Sequence, residues 1–256
     1  MLLAIDVGNT NIVLGVFEGE KLKATWRLGT DIHKLEDEYA IMISNLLSFR
    51  ELSFTDIDHA IILSSVPPLV AVFEALCQRY FQVSPMILGP GIKTGVRISI
   101  DNPREVGADR VANAAAAHKL YSGPLIVIDL GTATTFDAVS KEGDYLGGAI
   151  APGIGISAEA LFEHAAKLPR VELVRPKQAI GKNTVAAMQS GLVFGYVGLI
   201  EGLVQRIRRE LGGEAKVIAT GGLANVIASE TDAVDVLEPD LTLVGMRLIY
   251  ELNNGH

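Results

Sequence analysis

The feature that most constrains this 256-residue chain is that its two halves begin alike. "LLAIDVGNTNIVLGV" (2–16) set over "LIVIDLGTATTFDAV" (125–139) places Asp6 on Asp129 and Gly8 on Gly131, an offset of 123 residues. Leu2, Ile5 and Val16 also fall on identical partners. Each copy is an apolar run that ends in a carboxylate, a glycine and small hydrogen-bonding residues. A second apolar run, a polar turn ("FEGEK" or "SKEGD") and a third short run follow. The pattern reads as strand, polar loop, strand, turn, strand. An offset near half the chain predicts two related units of similar size, residues 1–117 and 118–256.

The rest of the sequence alternates strand and helix signals. "DEYAIMISNLLSFR" has apolar residues at helical spacing after "GTD", a helix start. "HAIILSSV" reads as a buried strand, "PPLVAVFEALCQRYF" as a helix with proline in its first turn, and "PMILG" as a short strand. "PREVGADRVANAAAAHKLY" reads as one long helix. "NTVAAMQSGLVFGYVGLIEGLVQRIRREL" reads as another, whose glycines allow close packing against a helix or domain. "KVIAT" is a strand leading into "GGLAN", and "LTLVGMRLIYEL" is a closing helix. The fold class is α/β with a mixed sheet in each half.

Bulk properties exclude several functions. Hydrophobic residues make up 49% and charged residues 20%, with a net charge of −8. Phosphate-backbone binding needs clustered Lys and Arg, so a nucleic-acid partner is not expected, and "RIRRE" (206–210) reads as the solvated face of a helix. Cys77 is the only cysteine, which leaves no intrachain disulfide framework and no cysteine zinc site. The apolar start is too short for a signal peptide and lacks a basic leader. No stretch is expected to span a membrane. Together these predict a soluble, cytoplasmic protein.

The polar loops carry the chemistry. A carboxylate at a strand end followed by glycine presents backbone N–H groups to an anion. Gly8 and Gly131 permit close approach, and Asn9, Thr10 and Asn11 hydrogen-bond without repelling phosphate. Asp6 and Asp129 make sense if a cation stands between carboxylate and phosphate; an Asx-type turn at the strand end would explain Asp6 alone but not two copies at matching positions. One loop is a weak signal. Two copies, with the glycines of "ATGGLAN" (219–225) between a strand and a helix, are a strong one. Common nucleotide and hydrolase motifs are missing. "IGKNT" hints at a Walker A loop, but Pro176 and Asn183 stand where glycine and Ser or Thr are required. His33, His59, His118, His164 and His256 are scattered and read as surface or packing residues.

"DVGNTN", "DLGTATT" and "ATGGLA" resemble the two phosphate motifs and the adenosine motif of the acetate kinase, sugar kinase, Hsp70 and actin superfamily. That resemblance implies two tandem RNase H-like domains, each a mixed sheet flanked by helices, with ATP in the cleft between them. Within the group the chain looks most like type III pantothenate kinase. "DVGNTNIVLGVF", "DNPREVGADR", "DLGTATTFD", "GGAIAPG", "GKNTVAAMQSGLVFG" and "LTLVGMRLIYELN" carry the likeness in order along nearly the whole chain.

The resemblance implies roles residue by residue. Asp6, Val7, Gly8, Asn9, Thr10, Asn11, Ile12 and Val13 bind ATP phosphates, with Asp6 positioning Mg²⁺ through water. Residues 129–135 form the second phosphate loop. There Asp129 holds a monovalent cation, K⁺ or NH₄⁺, and Gly131 and Thr132 contact ATP. Gly221 and Gly222 lie against the nucleotide. Gly107, Ala108, Asp109 and Arg110 line the pantothenate site with Thr184, and Asp109 is the general base. The family often has tyrosine where Ile100 stands. Isoleucine packs against the substrate's dimethyl group but donates no hydrogen bond, a loss of roughly 0.5–1.5 kcal/mol.

The resemblance also implies a homodimer. The helix over 183–211 is a candidate contact through Leu192, Val193, Tyr196, Leu199, Ile200 and Leu203. The expected activity is ATP-dependent phosphorylation of pantothenate, the first step of coenzyme A synthesis. The alternatives are a transcriptional accessory protein of the same family and a phosphatase on the same fold. A retained "GADR" argues against a purely non-catalytic role. A chaperone or filament-forming ATPase would need insertions for which 256 residues leave little room.

Overall fold

A computed structural model describes residues 1–255, so His256 lies outside the described residues. The chain forms two compact units. The first comprises Met1–Gly95, Asn102–Ala116 and the segment from Thr242 onward; the second comprises Val96–Asp101 and Ala117–Leu241. The chain passes from the first unit to the second at 116/117, one residue from the expected cut at 117/118, and the closing helix falls in the first unit, not the second. Its Leu243, Met246 and Ile249 are buried with Leu2, Ala4 and Ile61, a match of apolar surfaces that no local pattern reveals.

In the first unit, β1 (Leu2–Val7), β2 (Asn11–Glu18), β3 (Lys21–Gly29), β4 (His59–Ser64) and β5 (Met86–Ile87) form a sheet ordered β3-β2-β1-β4-β5. β2 is antiparallel to both neighbours, and β4 is parallel to β1 and β5. One face packs on α1 (Glu36–Ser48) and α2 (Pro67–Leu76), where Tyr39, Ile43, Leu69 and Phe73 meet Leu3, Ile5 and Leu14. The other face packs on α3 (Ala108–Leu120) and α7 (Leu241–Asn254). These two helices cross closely: a β-carbon on Gly245 would stand 2.0 Å from the Ala112 carbonyl oxygen.

In the second unit, β6 (Leu125–Leu130), β7 (Ala133–Val139), β8 (Tyr145–Pro152), β9 (Lys216–Thr220) and β10 (Val236–Leu237) give the order β8-β7-β6-β9-β10. α4 (Ile154–His164), α5 (Thr184–Glu210) and α6 (Ala224–Ala228) complete it. α4 and β10 have no clear signal in the sequence. α5 buries Leu192, Val193, Tyr196, Ile200 and Val204 with Ile126, Ile128, Phe136 and Val217 of the sheet.

The two sheets match strand for strand. β1 and β6 share one burial pattern, with only the aspartate departing from a fully buried apolar run. Asp6 pairs with Val13 and Asp129 with Thr135, so the hairpin of the first unit is one residue longer. After the loop the equivalence therefore slips by one. Val16 corresponds to Ala138, and the identity of Val16 with Val139 is a coincidence of alignment. The irregularity in the second hairpin confirms the shift: it falls at Val16/Phe17 in one sheet and at Ala138/Val139 in the other.

Two helix boundaries also moved. α1 begins at Glu36, where Glu38 accepts a hydrogen bond from the Leu35 N–H at 2.9 Å, and not at "GTD". The expected helix from Pro103 is broken: a short 3₁₀ turn covers Pro103–Glu105, and α3 starts afresh at Ala108. By length and composition α5, at 27 residues, is apolar enough to cross a bilayer, against the expectation that no stretch would be. Its apolar side is a core face of the second unit.

Candidate active site

The restart of α3 decides where Asp109 stands. Gly107 lies between the 3₁₀ turn and α3, and its carbonyl accepts the first helical bond from the Val111 N–H at 3.2 Å. Asp109 therefore sits in the first turn, where backbone N–H groups lack helical partners and the helix dipole favours negative charge. Its Oδ1 atom accepts a hydrogen bond from the Arg110 N–H at 2.9 Å. The carboxylate folds back over Gly107, where a β-carbon would be 2.3 Å from Oδ1. Gly107, Ala108, Asp109 and Arg110 are all half-buried.

The first loop, Gly8–Thr10, lies in the same unit. α3 packs Ala108, Ala112 and Ala115 on the sheet face that carries Leu2, Ala4 and Val13. Asp6 pairs with Val13 and alternates with Leu2 and Ala4, so its side chain belongs to that face. Asp6 and the first turn of α3 thus share one side of the sheet. Asn11, Ile12 and Val13 are strand residues, and Val7 and Ile12 are fully buried. Whatever Val7 and Ile12 offer a ligand is backbone.

The glycine amides are not the expected anion donors. The Gly8 N–H donates to the Asn11 carbonyl at 3.0 Å, and the Gly131 N–H to the Ala133 carbonyl at 3.0 Å. The glycines instead close the hairpins tightly: a β-carbon on Gly8 would meet the Asn11 carbonyl at 3.0 Å.

In the second unit, Asp129, Gly131 and Gly221 come together. A β-carbon on Gly221 would lie 2.6 Å from Asp129 Oδ1, and the residue has φ +96°. A β-carbon on Gly131 would lie 3.4 Å from the same atom. Thr132 and Gly222 are exposed beside them. Thr184 is the exposed first residue of α5, whose start is capped by Asn183 accepting from the Ala186 N–H at 2.8 Å. Ile100 belongs to a segment fixed along Tyr145. The Tyr145 N–H donates to the Arg97 carbonyl and the Ser99 N–H to the Tyr145 carbonyl, both at 2.8 Å. Arg97 also pairs with Asp144, whose carboxyl is held below the usual range chiefly by that hydrogen bond. Ile100 Cγ2 lies 3.5 Å from where a Gly147 β-carbon would stand.

No group of three or more His, Cys, Asp or Glu able to hold a metal occurs among the described residues. That suits Mg²⁺, which is usually carried by phosphates and one or two carboxylates with several waters retained. Asp6 and Asp129 are each half-buried at a strand end beside a loop.

A family model described as type III pantothenate kinase matches residues 2–206. The chain belongs to the type III pantothenate kinase family. Membership gives it the coarse activity of that family: a nucleotide-binding, ATP-dependent phosphotransferase that works with a divalent cation. The matched span holds both polar loops and Asp109, while Gly221, Gly222 and α7 lie beyond it.

Solved structures give the same fold. A putative Baf family transcriptional activator from Campylobacter jejuni aligns with TM-score 0.62 at 21% identity, covering 99% of this chain and 100% of that one. A putative 2-dehydro-3-deoxygalactonokinase from Sinorhizobium meliloti aligns with TM-score 0.60 at 13% identity, covering 98% and 96%. A putative N-acetylmannosamine kinase from Listeria monocytogenes aligns with TM-score 0.53 at 12% identity, covering 100% and 99%. These likenesses show the fold: two α/β units, each with a mixed sheet flanked by helices.

Two residues missed by sequence reasoning adjoin the loops. Thr30 donates from Oγ1 to the Gly8 carbonyl at 2.7 Å and from its N–H to the Thr10 carbonyl at 3.0 Å. Gly153 donates from its N–H to the Thr132 carbonyl at 3.0 Å. Each directly follows the third strand of its sheet, a position the repeat would reveal only once the hairpin registers are known.

Proposed function

We propose that the chain transfers the γ-phosphoryl group of ATP to the primary hydroxyl of pantothenate, giving 4′-phosphopantothenate for coenzyme A synthesis in the cytoplasm. The observation that carries the reading is Asp109, held over Gly107 in the first turn of a helix in a chain of this family. The hydroxyl oxygen forms a bond to the γ-phosphorus as the bond to the β–γ bridging oxygen breaks, releasing ADP. Asp109 accepts the hydroxyl proton. Such transfers depend on alignment and charge neutralisation. The loops at residues 6–13 and 129–135, with Gly221 and Gly222, hold the nucleotide. Gly107, Ala108, Arg110, Thr184 and Ile100 hold pantothenate. Mg²⁺ neutralises phosphate charge when bound, with Asp6 orienting its water shell, and Asp129 holds K⁺ or NH₄⁺.

We also place a homodimer contact on α5, with one change from the expected surface. Leu192, Val193, Tyr196 and Ile200 are core residues of their own unit, and Leu199 and Leu203 pack against that core. The open side of α5 instead carries Gly191, Gly195 and Gly198, where an added β-carbon would have no heavy atom within 4 Å. An exposed helical glycine costs about 1 kcal/mol relative to alanine, so three of them point to close approach by a second helix. Light scattering on Gly195→Glu tests this: a monomer supports the contact, and an unchanged dimer rejects it.

The decisive experiment follows ADP release from ATP and Mg²⁺, with and without pantothenate, in K⁺ and then in Na⁺ buffer. Asp109→Asn is run beside the unaltered protein. Pantothenate-dependent turnover in K⁺, lost in the variant, is the expected result. Turnover without pantothenate would indicate a phosphatase, and no turnover in any buffer would favour the accessory-protein reading.

A further inference from the structure

We propose that Thr30 and Gly153 are matched positioning residues, each fixing the phosphate loop of its own unit from the end of the third strand. The inference rests on reading those loops as the ATP phosphate sites.

The register makes the two residues equivalent. Asn11 pairs with Gly29 and Ala133 with Pro152, and Thr30 and Gly153 come next. Each turns its N–H toward the last loop carbonyl, Thr10 in one unit and Thr132 in the other, at 3.0 Å in both. Each brace is also tied to its core by a tyrosine hydroxyl. In the first unit, fully buried Tyr39 donates to the Asp31 carbonyl at 2.9 Å and accepts from the Asp31 N–H at 3.0 Å. In the second, Tyr196 donates to the Pro152 carbonyl at 2.7 Å. Different helices, α1 and α5, thus each supply a tyrosine hydroxyl beside the brace, one residue after Thr30 and one residue before Gly153.

The difference between the units follows from loop length. The shorter loop of the second unit backs directly onto the strand end, where a β-carbon on Gly153 would lie 2.3 Å from the Thr132 carbonyl oxygen and 2.5 Å from that of Gly131. The longer loop of the first unit leaves a gap, which the Thr30 side chain spans to reach the Gly8 carbonyl at 2.7 Å.

This bonding sets donor directions. In a planar trans peptide the N–H points opposite to the preceding carbonyl. Holding the Gly8 and Thr10 carbonyls toward Thr30 therefore turns the Asn9 and Asn11 N–H groups the other way. Holding the Thr132 carbonyl toward Gly153 does the same for the Ala133 N–H. A phosphate would meet donors fixed before it arrives, so no ordering is needed on binding. No side chain of the brace need touch the nucleotide.

The test uses the full chain with Thr30→Val, which keeps the shape and removes the hydroxyl, and Thr30→Ser, which restores it. Calorimetry measures binding of ATP with Mg²⁺ and of AMP, and steady-state assays give KM for ATP and pantothenate. Loss of one hydrogen bond predicts about 3- to 10-fold weaker ATP binding in Thr30→Val. AMP affinity and KM for pantothenate should stay within about twofold, and Thr30→Ser should recover the loss. Unchanged ATP affinity in Thr30→Val overturns the proposal. So does equal weakening of ATP and AMP that serine does not rescue, since that reports general loosening. Should Thr30→Val not fold, Thr30→Ala is held to the same criteria, and amide exchange over residues 8–11 in Thr30→Ser supplies a second readout. Unaltered protein without pantothenate turnover counts against the kinase reading, whereas active protein with an indifferent Thr30→Val counts against this proposal alone.

Discussion

The carboxylate of Asp109 occupies the space that a side chain on Gly107 would need, with Oδ1 2.3 Å from the position of a β-carbon there. Glycine two residues earlier is therefore a condition for the orientation of the aspartate. Gly107→Ala should displace Asp109 while leaving the helix folded, because the contact is with the end of a mobile side chain. We expect kcat to fall roughly 10- to 100-fold, less than the roughly 10²- to 10⁴-fold of losing a general base outright. Melting temperature should move little. A kcat equal to that of the unaltered protein would separate the orientation from the chemistry.

Gly221 stands in the same relation to Asp129, with less freedom to adapt. Its φ of +96° is unfavourable to any side chain, and a β-carbon would press on the Leu130 backbone at 2.7 Å as well as on Asp129. Gly221→Ala should lose about 1–3 kcal/mol of stability. Its activation by K⁺ should also weaken. Chemical denaturation and a K⁺ titration of activity check the two effects, and a normal K⁺ response in a destabilised variant would remove Asp129 from the cation site.

Ile100 offers a gain-of-function test. Ile100→Tyr adds a hydroxyl on a segment already fixed along Tyr145. A new hydrogen bond to pantothenate should lower its KM by about 2- to 10-fold, with KM for ATP unchanged. A raised pantothenate KM would show that the half-buried site at Ile100 has no room for the ring.

The segment carrying Ile100 should loosen in acid. Arg97 holds the Asp144 carboxyl below its usual range. A depressed folded value means that this pairing contributes above the unfolded carboxylate pKa and is lost as pH falls through the folded one. Asp144→Asn should mimic the acid state at neutral pH, raising amide exchange over 96–100 while β6 stays protected. Equal exchange in the variant and the unaltered protein would assign the segment's order to its backbone bonds alone.

Cys77 should be inert. It is fully buried, and burial pushes its thiol up to about 12. Unfolded thiols ionise near ~8.5. The neutral buried form therefore favours folding below that value, and the advantage falls as pH rises from there toward 12. Iodoacetamide at pH ~8 should label the protein only after denaturation. Labelling of the native state would show that the α2 region opens readily.

Most of the strand framework was legible in the sequence because central strands buried on both faces read as unbroken apolar runs. The repeat was legible through Asp6, Gly8, Asp129 and Gly131, residues whose chemistry tolerates little substitution. The one-residue slip was not legible, since Val16 and Val139 are identical by chance while the equivalent pair, Phe17 and Val139, is not. The break before α3 was hidden by the alanine-rich run that follows, although Gly107 marks it. Thr30 was missed because its role is a contact across 22 residues with the Gly8 carbonyl, and threonine after a strand carries no distinguishing pattern. α7 was read correctly as a helix but placed with the wrong unit, since its buried face matches β1 at the far end of the sequence.

That return of α7 bears on the order in which the protein is made. Of the two cores of the first unit, the one around Leu3 and Ile5 is built entirely from residues before α3, whereas the one that joins Leu2 and Ala4 to Met246 and Ile249 needs α7. The second unit lies almost wholly within Ala117–Leu241 and has all of its strands sooner. In the order of synthesis, the side of the first sheet that meets Tyr39 and Phe73 can therefore be covered early, while the face that carries Asp6 and receives α3 stays incomplete until α7 has been made.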